Sequence, residues 1–423
     1  MNKHILQGYK DSPLGIIPQD WEVKKLGDVC NYVDYRGKSP NKSSKGIFLV
    51  TAKNIRKGYI DYEVSQEFVL QDEYEETTRR GKAQIGDVLI TTEAPLGHVA
   101  QIDNPNVALA QRVIKYRGKN DILLNAYLKY FLMSEKFQTI LIANATGSTA
   151  LGIKGSRLHQ LPVIIPSIKE QELIISVLHL WDTAIEKQLE LIEKLKLRKR
   201  ALMQQLFTGK KRLPGFSGEW KEVKLGDVST FLRNNTLSRE QLNDDDGVIN
   251  NIHYGDVLIK YPSIIDCRKE KLQYINHGVS ILTDYVENGD IIMSDTAEDE
   301  TVGRVCEVQN VGNKKILAGL HTMLIRPHDK LFAPYYLGYY LNSEAYHKQL
   351  IPLIQGIKVC SIGKVAVQNT VLRIPSLEEQ RIIASVLVKA DKEIELAKEK
   401  LASLQSQKRG LMQQLLTGKK RIK

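Results

Sequence analysis

The sequence predicts an α+β protein in which two similar globular domains are separated by an antiparallel two-helix coiled coil, with an approximate twofold axis between the halves. Three observations support this prediction. The second half of the chain repeats the first, each half ends in a long heptad-patterned segment, and the remainder of each half alternates short apolar runs with Gly, Asp and Asn turns. A chain of 423 residues is long enough for two to four domains.

The repeat is closest in the segments predicted to be helical. Residues 166–212 return as 375–421 at a constant offset of 209 (375 − 166), whereas the segments that begin at Trp21 and Trp220 are offset by only 199 (220 − 21). Insertions and deletions therefore lie inside the globular parts. Variable domains on a constant scaffold are expected when the domains recognise a target and the scaffold positions them.

The two helices are predicted to span 168–207 and 377–416. Each starts with a capping box, in which a serine accepts an unpaired backbone N–H and a glutamate reaches back, and each ends before a glycine. These residues are Ser167, Glu170 and Gly209 in the first copy and Ser376, Glu379 and Gly418 in the second. Apolar residues recur in alternating steps of four and three, as in a coiled coil, and Trp181 is assigned to this seam.

Three polar residues, Gln188, Lys199 and Lys408, interrupt the apolar seam. Polar seam residues often fix the register of a coiled coil, but they could equally face a partner protein, and the sequence leaves both open. The basic runs 210–212 and 419–421 are predicted to be solvated charges that complement the helix dipole.

The lengths of the connections predict the topology. The linker 209–219 is too short to return along roughly 60 Å of helix at ~1.5 Å per residue, so the second domain is expected at the far end and its helix should run back antiparallel. The helix pair would then act as a ruler. The predicted boundaries are 1–166 for the first domain, 167–208 for the first helix, 209–219 for the linker, 220–375 for the second domain and 376–423 for the second helix with its basic tail.

The bulk composition indicates a polyanion-binding protein. The net charge is +11 and the isoelectric point is near 9.2. No apolar run is long enough to span a bilayer and the N-terminus lacks a signal peptide, so we expect a cytoplasmic protein without a membrane partner. The four cysteines are far apart, which predicts reduced thiols and no zinc site.

The sequence contains no recognisable catalytic constellation. Residues 147–154 resemble a P-loop, but Ile153 stands where the lysine is required. Dinucleotide, amino-methyltransferase and His-Glu-x-x-His motifs are absent. Glu22-Val23-Lys24 and Glu222-Val223-Lys224 have the Glu-x-Lys form of many nucleases, but strand alternation generates this pattern freely. We therefore predict no catalytic residues, no metal and no cofactor on this chain.

Three motifs that occur twice resemble the specificity subunit of type I restriction–modification systems. They are Trp-x-x-x-x-Leu-Gly-Asp-Val at Trp21 and Trp220, Ile-Pro-Ser-x-x-Glu-Gln at Ile165 and Ile374, and Leu-Met-Gln-Gln-Leu-x-Thr-Gly at Leu202 and Leu411. The resemblance covers nearly the whole chain in the family's order. It implies that each globular part is a target recognition domain that reads one half of a bipartite double-stranded DNA sequence, while the helices set the spacer.

The resemblance also implies partners. Two modification subunits would dock on the helices and use S-adenosylmethionine to methylate an adenine in each half-site, and two restriction subunits would use ATP and Mg²⁺. Two other readings stay open at this point. One is a stand-alone bipartite DNA-binding regulator without enzyme partners, and the other is a nuclease that uses the Glu-x-Lys pairs.

Candidate DNA-binding residues are polar or basic residues in predicted loops, because base edges and phosphates are contacted by such side chains. The Gly-Ser-Thr loop before the first helix is included because this region faces DNA in similar proteins. The candidates in the first domain are Arg36, Lys38, Lys53, Asn54, Arg56, Lys57, Thr146, Ser148, Thr149, Lys154 and Arg157. Those in the second are Arg233, Asn234, Asn250, Asn251, His253, Gln355, Lys358 and Lys364.

Overall fold

A computed structural model describes residues 7–35, 40–148, 150–209, 212–279, 283–356 and 358–422. The chain divides into two compact units: Met1–Leu189 with Glu399–Lys423, and Glu190–Lys398. Each unit therefore contains one globular part and a segment of both long helices. The boundaries predicted from the sequence instead treat each long helix as a segment separate from the globular parts.

The first unit contains eleven strands among its described residues, most of them short. They are β1 (Tyr9–Lys10), β2 (Ile17–Pro18), β3 (Glu22–Lys25), β4 (Cys30–Asp34), β5 (Ile47–Val50), β6 (Phe68–Val69), β7 (Val88–Thr92), β8 (Leu96–Gln101), β9 (Val107–Leu109), β10 (Val113–Gly118) and β11 (Pro162–Ile165). The helices are α1 (Leu26–Val29), α2 (Gln71–Thr78), α3 (Asn125–Met133), α4 (Glu135–Ala143), α5 (Gly155–Leu158) and α6 (Ile168–Phe207), which continues into the second unit.

The main sheet of the first unit is antiparallel, with strand order β4-β10-β7-β8. Every residue of β7 is buried. A second sheet, β6-β5-β9, contains one parallel pair, and β11 pairs with β3. The core joins the main sheet to α3 and α4 through Tyr127, Phe131 and Phe137, all without solvent exposure.

The second unit has its own set of strands, helices and short 3-10 turns. The strands are β12 (Lys221–Lys224), β13 (Ser229–Leu232), β14 (Leu242–Asn243), β15 (Ile249–Ile252), β16 (Ile264–Asp266), β17 (Gln273–Ile275), β18 (Ile291–Ser294), β19 (Thr296–Ala297), β20 (Val305–Gln309), β21 (Lys315–Ala318), β22 (Thr322–Pro327), β23 (Cys360–Ser361) and β24 (Val371–Ile374). The helices are α7 (Tyr254–Ile259), α8 (Tyr336–Tyr340), α9 (Glu344–Leu350), α10 (Lys364–Gln368) and α11 (Leu377–Leu415). The 3-10 turns are Leu225–Asp227, Arg239–Gln241 and Ile351–Leu353.

The sheets of the second unit repeat the plan of the first with additions. The main sheet has the order β13-β22-β18-β20-β16, the second sheet has the order β14-β17-β15-β21, and β12 pairs with β24. An equivalent ion pair braces the turn before the central strand in each unit. Arg117 donates to Asp87 from Nε at 2.6 Å, and Arg326 donates to Asp290 from Nε at 2.9 Å. The predicted mixed α+β character of both globular parts is confirmed.

The predicted spans of the long helices agree closely with α6 and α11. Within each unit the two helical segments run antiparallel. In the first unit, Ile174 and Leu178 of α6 pack in one core with Met412 and Leu415 of α11. Gly209 and Gly418 adopt φ of +68° and +70°, as expected for glycines that follow a helix end. Trp181, which the heptad pattern assigns to the seam, is half-buried.

The glutamine of the Glu-Gln motif fixes each helix start to its own globular part. Gln171 is fully buried, and its Oε1 accepts from the backbone N–H of Leu124 at 2.9 Å while its Nε2 donates to the carbonyl of Ile122 at 2.9 Å. Gln380 makes the equivalent bonds in the second unit, with the N–H of Ala333 at 3.0 Å and the carbonyl of Leu331 at 3.2 Å. The motif therefore sets the direction in which each helix leaves its domain.

The glutamate of the same motif pairs with an arginine from the end of the other helix. Arg421 donates to Glu170 from Nε at 2.9 Å and from Nη2 at 2.8 Å, and Trp21 Nε1 donates to the same carboxylate at 2.8 Å. Arg212 and Glu379 form the same fork in the second unit at 2.9 and 2.8 Å.

Two predictions about the helix ends are corrected by these forks. Ser167 and Ser376 do accept the N–H of the glutamate, at 3.3 Å each, but the glutamate side chains bind arginine and do not complete a capping box. Arg212 and Arg421 are likewise not solvated helix-end charges. Hydrogen bonds to Glu170 and then to Asp20 raise the pKa of Arg421 above its usual value.

The lysines that interrupt the seam form a clamp in each unit, here called the tyrosine–aspartate–lysine clamp. In the second unit it consists of Tyr339, Asp391 and Lys199, and in the first unit of Tyr130, Asp182 and Lys408. Burial, followed by the neighbouring aspartate, raises the pKa of both tyrosines above the usual value, so both remain donors. The two lysines of the seam thus have partners inside their own units.

All four cysteines are buried and free. Burial raises the pKa of the Cys30 and Cys306 thiols to about 12, which keeps them protonated. Neither long helix, nor any other helix of the described ranges, has the length and apolarity needed to cross a membrane.

Candidate nucleic-acid interface

A short hairpin projects from the edge of the first unit. Thr146 and Gly152 exchange both backbone hydrogen bonds, at 2.8 and 2.9 Å, and Gly152 in turn bridges Glu93 at the end of β7. The next residue, Ile153, donates to the carbonyl of Thr92 at 2.9 Å. The hairpin, which begins at Thr146 and ends at Gly152 and is described at 146–148 and 150–152, is therefore fixed to the end of the central strand of the main sheet.

The second unit contains the same hairpin, which begins at Gln355 and ends at Ser361 and is described at 355–356 and 358–361. Gln355 and Ser361 exchange backbone bonds at 2.9 and 2.8 Å, Ser361 pairs with Thr296, and Ile362 donates to the carbonyl of Asp295 at 2.9 Å. The sequences of the two hairpins differ almost completely, but their offset of 209 (355 − 146) is that of the helices. The same backbone support thus presents different side chains.

One glycine in each hairpin is required by the backbone. Gly147 has φ of +120° and Gly356 has φ of +99°, a region that L residues rarely adopt. A Cβ at these positions would overlap the carbonyl oxygen of Ala150 or Val359. Both hairpins consequently close only with glycine at this point.

Most of the described candidate DNA-binding residues are exposed. Those with exposed side chains are Lys53, Lys57, Thr146, Ser148, Lys154, Arg157, Arg233, Gln355, Lys358 and Lys364. Arg56 and Asn234 are half-buried: Arg56 pairs with Asp61 at 3.3 Å, and Asn234 donates to the carbonyl of Gly319 at 3.1 Å. Arg36, Lys38 and Thr149 lie outside the described residues.

Several exposed candidates gather around the hairpins. In the second unit, Lys364 follows the hairpin and donates to the carbonyl of Phe231 at 3.2 Å, two residues before Arg233. In the first unit, Arg157 follows the hairpin and donates to Asn144 at 2.8 Å. Lys53 lines a depression of about 300 Å³ together with Ala94, the residue that follows Glu93 in the chain. The structure therefore collects polar and basic side chains at the same edge of each unit.

Four candidates are buried, and their assignment to DNA contact is corrected. Asn54 is fully buried; its Oδ1 accepts from the N–H and hydroxyl of Thr51, and its Nδ2 donates to the carbonyls of Asp61 and Val64. This asparagine holds its loop closed from inside. An asparagine in a predicted loop was expected to be solvated, and the loop folds around the side chain instead.

The equivalent region of the second unit is buried for the same reason. Asn251 has no exposure and its Oδ1 accepts from Asn235 Nδ2 at 2.7 Å, while Asn250 is 6% exposed in β15. His253 is also 6% exposed, and its Nδ1 accepts from the N–H of Gly255 at 3.2 Å as the cap of α7. Burial, followed by Arg239, lowers the pKa of His253, which favours the neutral cap.

Two residues beside the hairpins were not among the candidates predicted from the sequence. Arg112 lies 3.6 Å from Glu93 and His321 lies 3.4 Å from Asp295, so both are adjacent to the strand ends that hold the hairpins. Both adopt left-handed backbone conformations, with φ of +67° and +53°. Aligning the halves at the offset of 209 places Arg112 opposite His321, which is the sequence signal that could have found them.

Each Glu-x-Lys pair is engaged in a surface ion pair within its own unit. Glu22 pairs with its own Lys24 at 2.7 Å, and Glu222 pairs with Arg373 at 2.9 Å; all four side chains are largely exposed. In the described ranges, no group of three or more His, Cys, Asp or Glu side chains has the arrangement of a metal site.

Comparison with known proteins identifies the family. The family described as "Type I restriction modification DNA specificity domain" matches residues 18–197 and 217–406, one match for each half of the repeat. The chain belongs to this family. It is thus a specificity subunit, a non-catalytic protein whose family leaves catalysis to partner subunits and itself binds no cofactor. DNA and the other subunits of a restriction–modification complex are its partners.

Full-length relatives support the same assignment. Two proteins of Methanocaldococcus jannaschii, named as the specificity subunits of type I restriction enzymes MjaX and MjaVIII, are 26% and 23% identical over 99% of this chain and 97% and 98% of their own lengths. A chain from a solved structure described as the "type I R-M system" matches with a TM-score of 0.62 and 18% identity, over 95% of this chain and 99% of that chain. This last likeness shows the fold.

Proposed function

We propose that each unit reads one half of a bipartite double-stranded DNA target, with the hairpin edge facing the duplex. The observation that carries this proposal is that the chain builds the same exposed polar edge twice, on one backbone plan, with different side chains. Two reading edges with different residues suit a target whose halves differ in sequence. A net charge of +11 favours approach to the DNA phosphates.

The exposed candidates divide into two chemical roles. Lys53, Lys57, Lys154 and Arg157 in the first unit, and Lys358 and Lys364 in the second, would anchor phosphates. Thr146, Ser148, Arg233 and Gln355 carry the donors and acceptors that base edges need. The half-buried Arg56 and Asn234 would contribute after small rotations of their side chains. Arg36, Lys38 and Thr149 remain candidates.

We further propose that the two long helices set the unread spacer between the half-sites and dock two modification subunits. Those subunits would bring S-adenosylmethionine and methylate an adenine in each half-site, and two restriction subunits would bring ATP and Mg²⁺ in the cytoplasm. The recognition regions would be 1–166 and 220–375, the linker 209–219, and the helical regions 167–208 and 376–423. The clamps and arginine forks support this division, because they give each helix end a fixed attachment.

Methylation mapping tests the proposal directly. The host genome should be sequenced by a method sensitive to modified bases, with and without this gene. The proposal expects one bipartite motif with N6-methyladenine in each half to disappear with the gene. If the wild-type host has an active modification subunit and no motif disappears, the stand-alone regulator becomes the better reading.

A further inference from the structure

Arg112 and His321 occupy equivalent, strained backbone positions. They are 209 residues apart (321 − 112), and both have positive φ although neither is glycine. The carbonyl of Arg112 accepts from the N–H of Thr92 at 2.8 Å, and that of His321 accepts from the N–H of Asp295 at 3.1 Å. Non-glycine residues stay in this region only when surrounding structure holds them, and such residues concentrate at functional sites.

The Arg112 and His321 side chains each lie beside a residue that supports the hairpin of the same unit. Arg112 Nε is 3.6 Å from Glu93 Oε2, and Glu93 bridges the first hairpin. His321 Nδ1 is 3.4 Å from Asp295 Oδ1 and 3.3 Å from Thr296 Oγ1, and Thr296 pairs with the second hairpin. The two side chains are 52% and 48% exposed, so their outer atoms face solvent at the proposed reading edge.

The neighbouring carboxylates distinguish a base contact from a phosphate contact. A phosphate that approached Arg112 or His321 would also approach Glu93 or Asp295 and be repelled. A base edge carries no net charge, and a carboxylate beside it can accept a hydrogen bond from a base amino group. The Arg–Glu and His–Asp pairs therefore fit a base edge better than the DNA backbone.

We propose that Arg112 and His321 are specificity-determining residues, each reading a base edge in its own half-site. Their acidic neighbours Glu93 and Asp295 would hold the side chains in position. The planar guanidinium of Arg112 matches the O6 and N7 acceptors of guanine with two bonds, whereas the imidazole of His321 offers one ring nitrogen. This assignment rests on the proposed function and names the side chains that make the halves differ.

The test uses the complex purified through a tag on this chain, and a randomised pool of duplex DNA from which bound sequences are selected. Arg112→Ala should reduce discrimination at one base pair of one half-site by about 5- to 150-fold, and leave the other half-site unchanged. His321→Ala should relax one position in the opposite half. Arg112→Lys keeps the charge but not the paired donors, and should lose discrimination at the same base pair.

Matched controls are available on the same units. Arg79 is 81% exposed and lies 4.0 Å from Glu76, and His277 is 70% exposed and lies 3.6 Å from Asp246, so both are exposed residues of the same two types beside a carboxylate, and neither belongs to a hairpin. Arg79→Ala and His277→Ala should select the parent sequence. Thermal unfolding of each variant establishes that it is folded. If Arg112→Ala does not fold, Arg112→Lys takes its place in the selection experiment.

Two results would overturn the assignment. Folded variants could keep the parent preference at every base pair, or they could lose affinity equally for all sequences, as a phosphate anchor would. If the parent complex itself selects no bipartite sequence, the proposed function fails and this assignment fails with it. That outcome is distinguishable because it appears before any substitution is made.

Discussion

Lys199 and Asp391, on different helices, form an ion pair with an Nζ–Oδ1 distance of 2.6 Å. Tyr339 of the globular part donates to the other oxygen of Asp391 at 2.7 Å, and Lys199 Nζ lies 4.9 Å from the centre of the Tyr339 ring. Both helices and the domain thus meet at one carboxylate. The same clamp in the first unit indicates that register is fixed by polar contacts at these positions, where the apolar seam is interrupted.

Removing the clamp lysine should destabilise the second unit. We expect Lys199→Met to lower the free energy of unfolding by about 1–3 kcal/mol, because a charge-assisted hydrogen bond is lost. In a double-mutant cycle with Asp391→Asn, measured by urea unfolding, the double variant should lose less stability than the sum of the losses in the two single variants. Lys196→Met is the control: Lys196 pairs with Glu193 of the same helix at 2.7 Å, and such exposed pairs contribute about 0.5 kcal/mol or less. Equal effects of the two variants would contradict the clamp.

The hairpin glycines should matter more for DNA binding than for folding. Gly147→Ala adds a Cβ that overlaps the Ala150 carbonyl at φ of +120°, so the exposed hairpin must rearrange. Strain of about 1–3 kcal/mol corresponds to a loss of about 5- to 150-fold in affinity for the cognate target. Gly8→Ala is the matched control, because Gly8 also has positive φ but nothing lies within 4 Å of its Cβ position.

Binding of cognate and unrelated duplexes by each variant gives the measurement. Gly147→Ala should weaken cognate binding while the thermal unfolding midpoint stays near that of Gly8→Ala. If both variants bind like the parent, the first hairpin does not contact DNA.

The buried carboxyl group of Glu307 predicts a pH dependence of stability. Burial raises its pKa from 4.5 to about 7, although it accepts from the N–H groups of Tyr335 and Gly338 and from Gln309 Nε2. Below about pH 4.5 the group is protonated in the folded and unfolded states and contributes nothing. As the pH rises toward 7 the unfolded state ionises first, so the free energy of unfolding falls.

This loss should reach about 3 kcal/mol above pH 7 and should be absent in Glu307→Gln. The measurement is the difference in unfolding free energy between variant and parent at about pH 5 and about pH 8. Relative to the parent, Glu307→Gln should have a higher unfolding free energy at about pH 8 than at about pH 5. Glu298→Gln, in an exposed loop, should follow the parent at both values. A constant difference for Glu307→Gln would show that Glu307 does not titrate in this range.

The helical part of the fold could be predicted because its signals are local. Heptad spacing, the Ser167 cap and the glycine after each helix act within a few residues, and both helix spans were correct. The partner of Glu170 could not be predicted, because Arg421 is 251 residues away in sequence (421 − 170). A glutamate three residues after a serine fits a capping box equally well until the fold brings an arginine to it.

The candidate site was harder to predict for a related reason. Asn54 and Asn251 lie in segments whose composition is typical of solvated loops, but each loop closes over its asparagine. Nothing in the neighbouring sequence distinguishes a buried asparagine from a solvated one. Arg112 and His321 belong to no motif. The offset of 209 aligns them, but their shared backbone conformation beside Thr92 and Asp295 is visible only in the folded structure.

Lengthening both helices should lengthen the DNA spacer. Asp182 and Lys199 are 17 residues apart on α6 (199 − 182), and Asp391 and Lys408 are 17 apart on α11 (408 − 391). Inserting one heptad after Glu190 and another after Glu399 leaves both clamps intact and adds about 10 Å of helix. The methylated motif should gain roughly three unread base pairs at ~3.4 Å each. An unchanged spacer would show that the helices do not set it.

Replacing one recognition region shows whether each unit reads its own half-site. Residues 220–375 are exchanged for the corresponding region of another specificity subunit, and the methylated motif of the host is mapped before and after the exchange. We predict that one half of the motif changes to that of the donor while the other half is retained. A change in both halves, or in neither, would contradict the claim that each unit reads its own half-site.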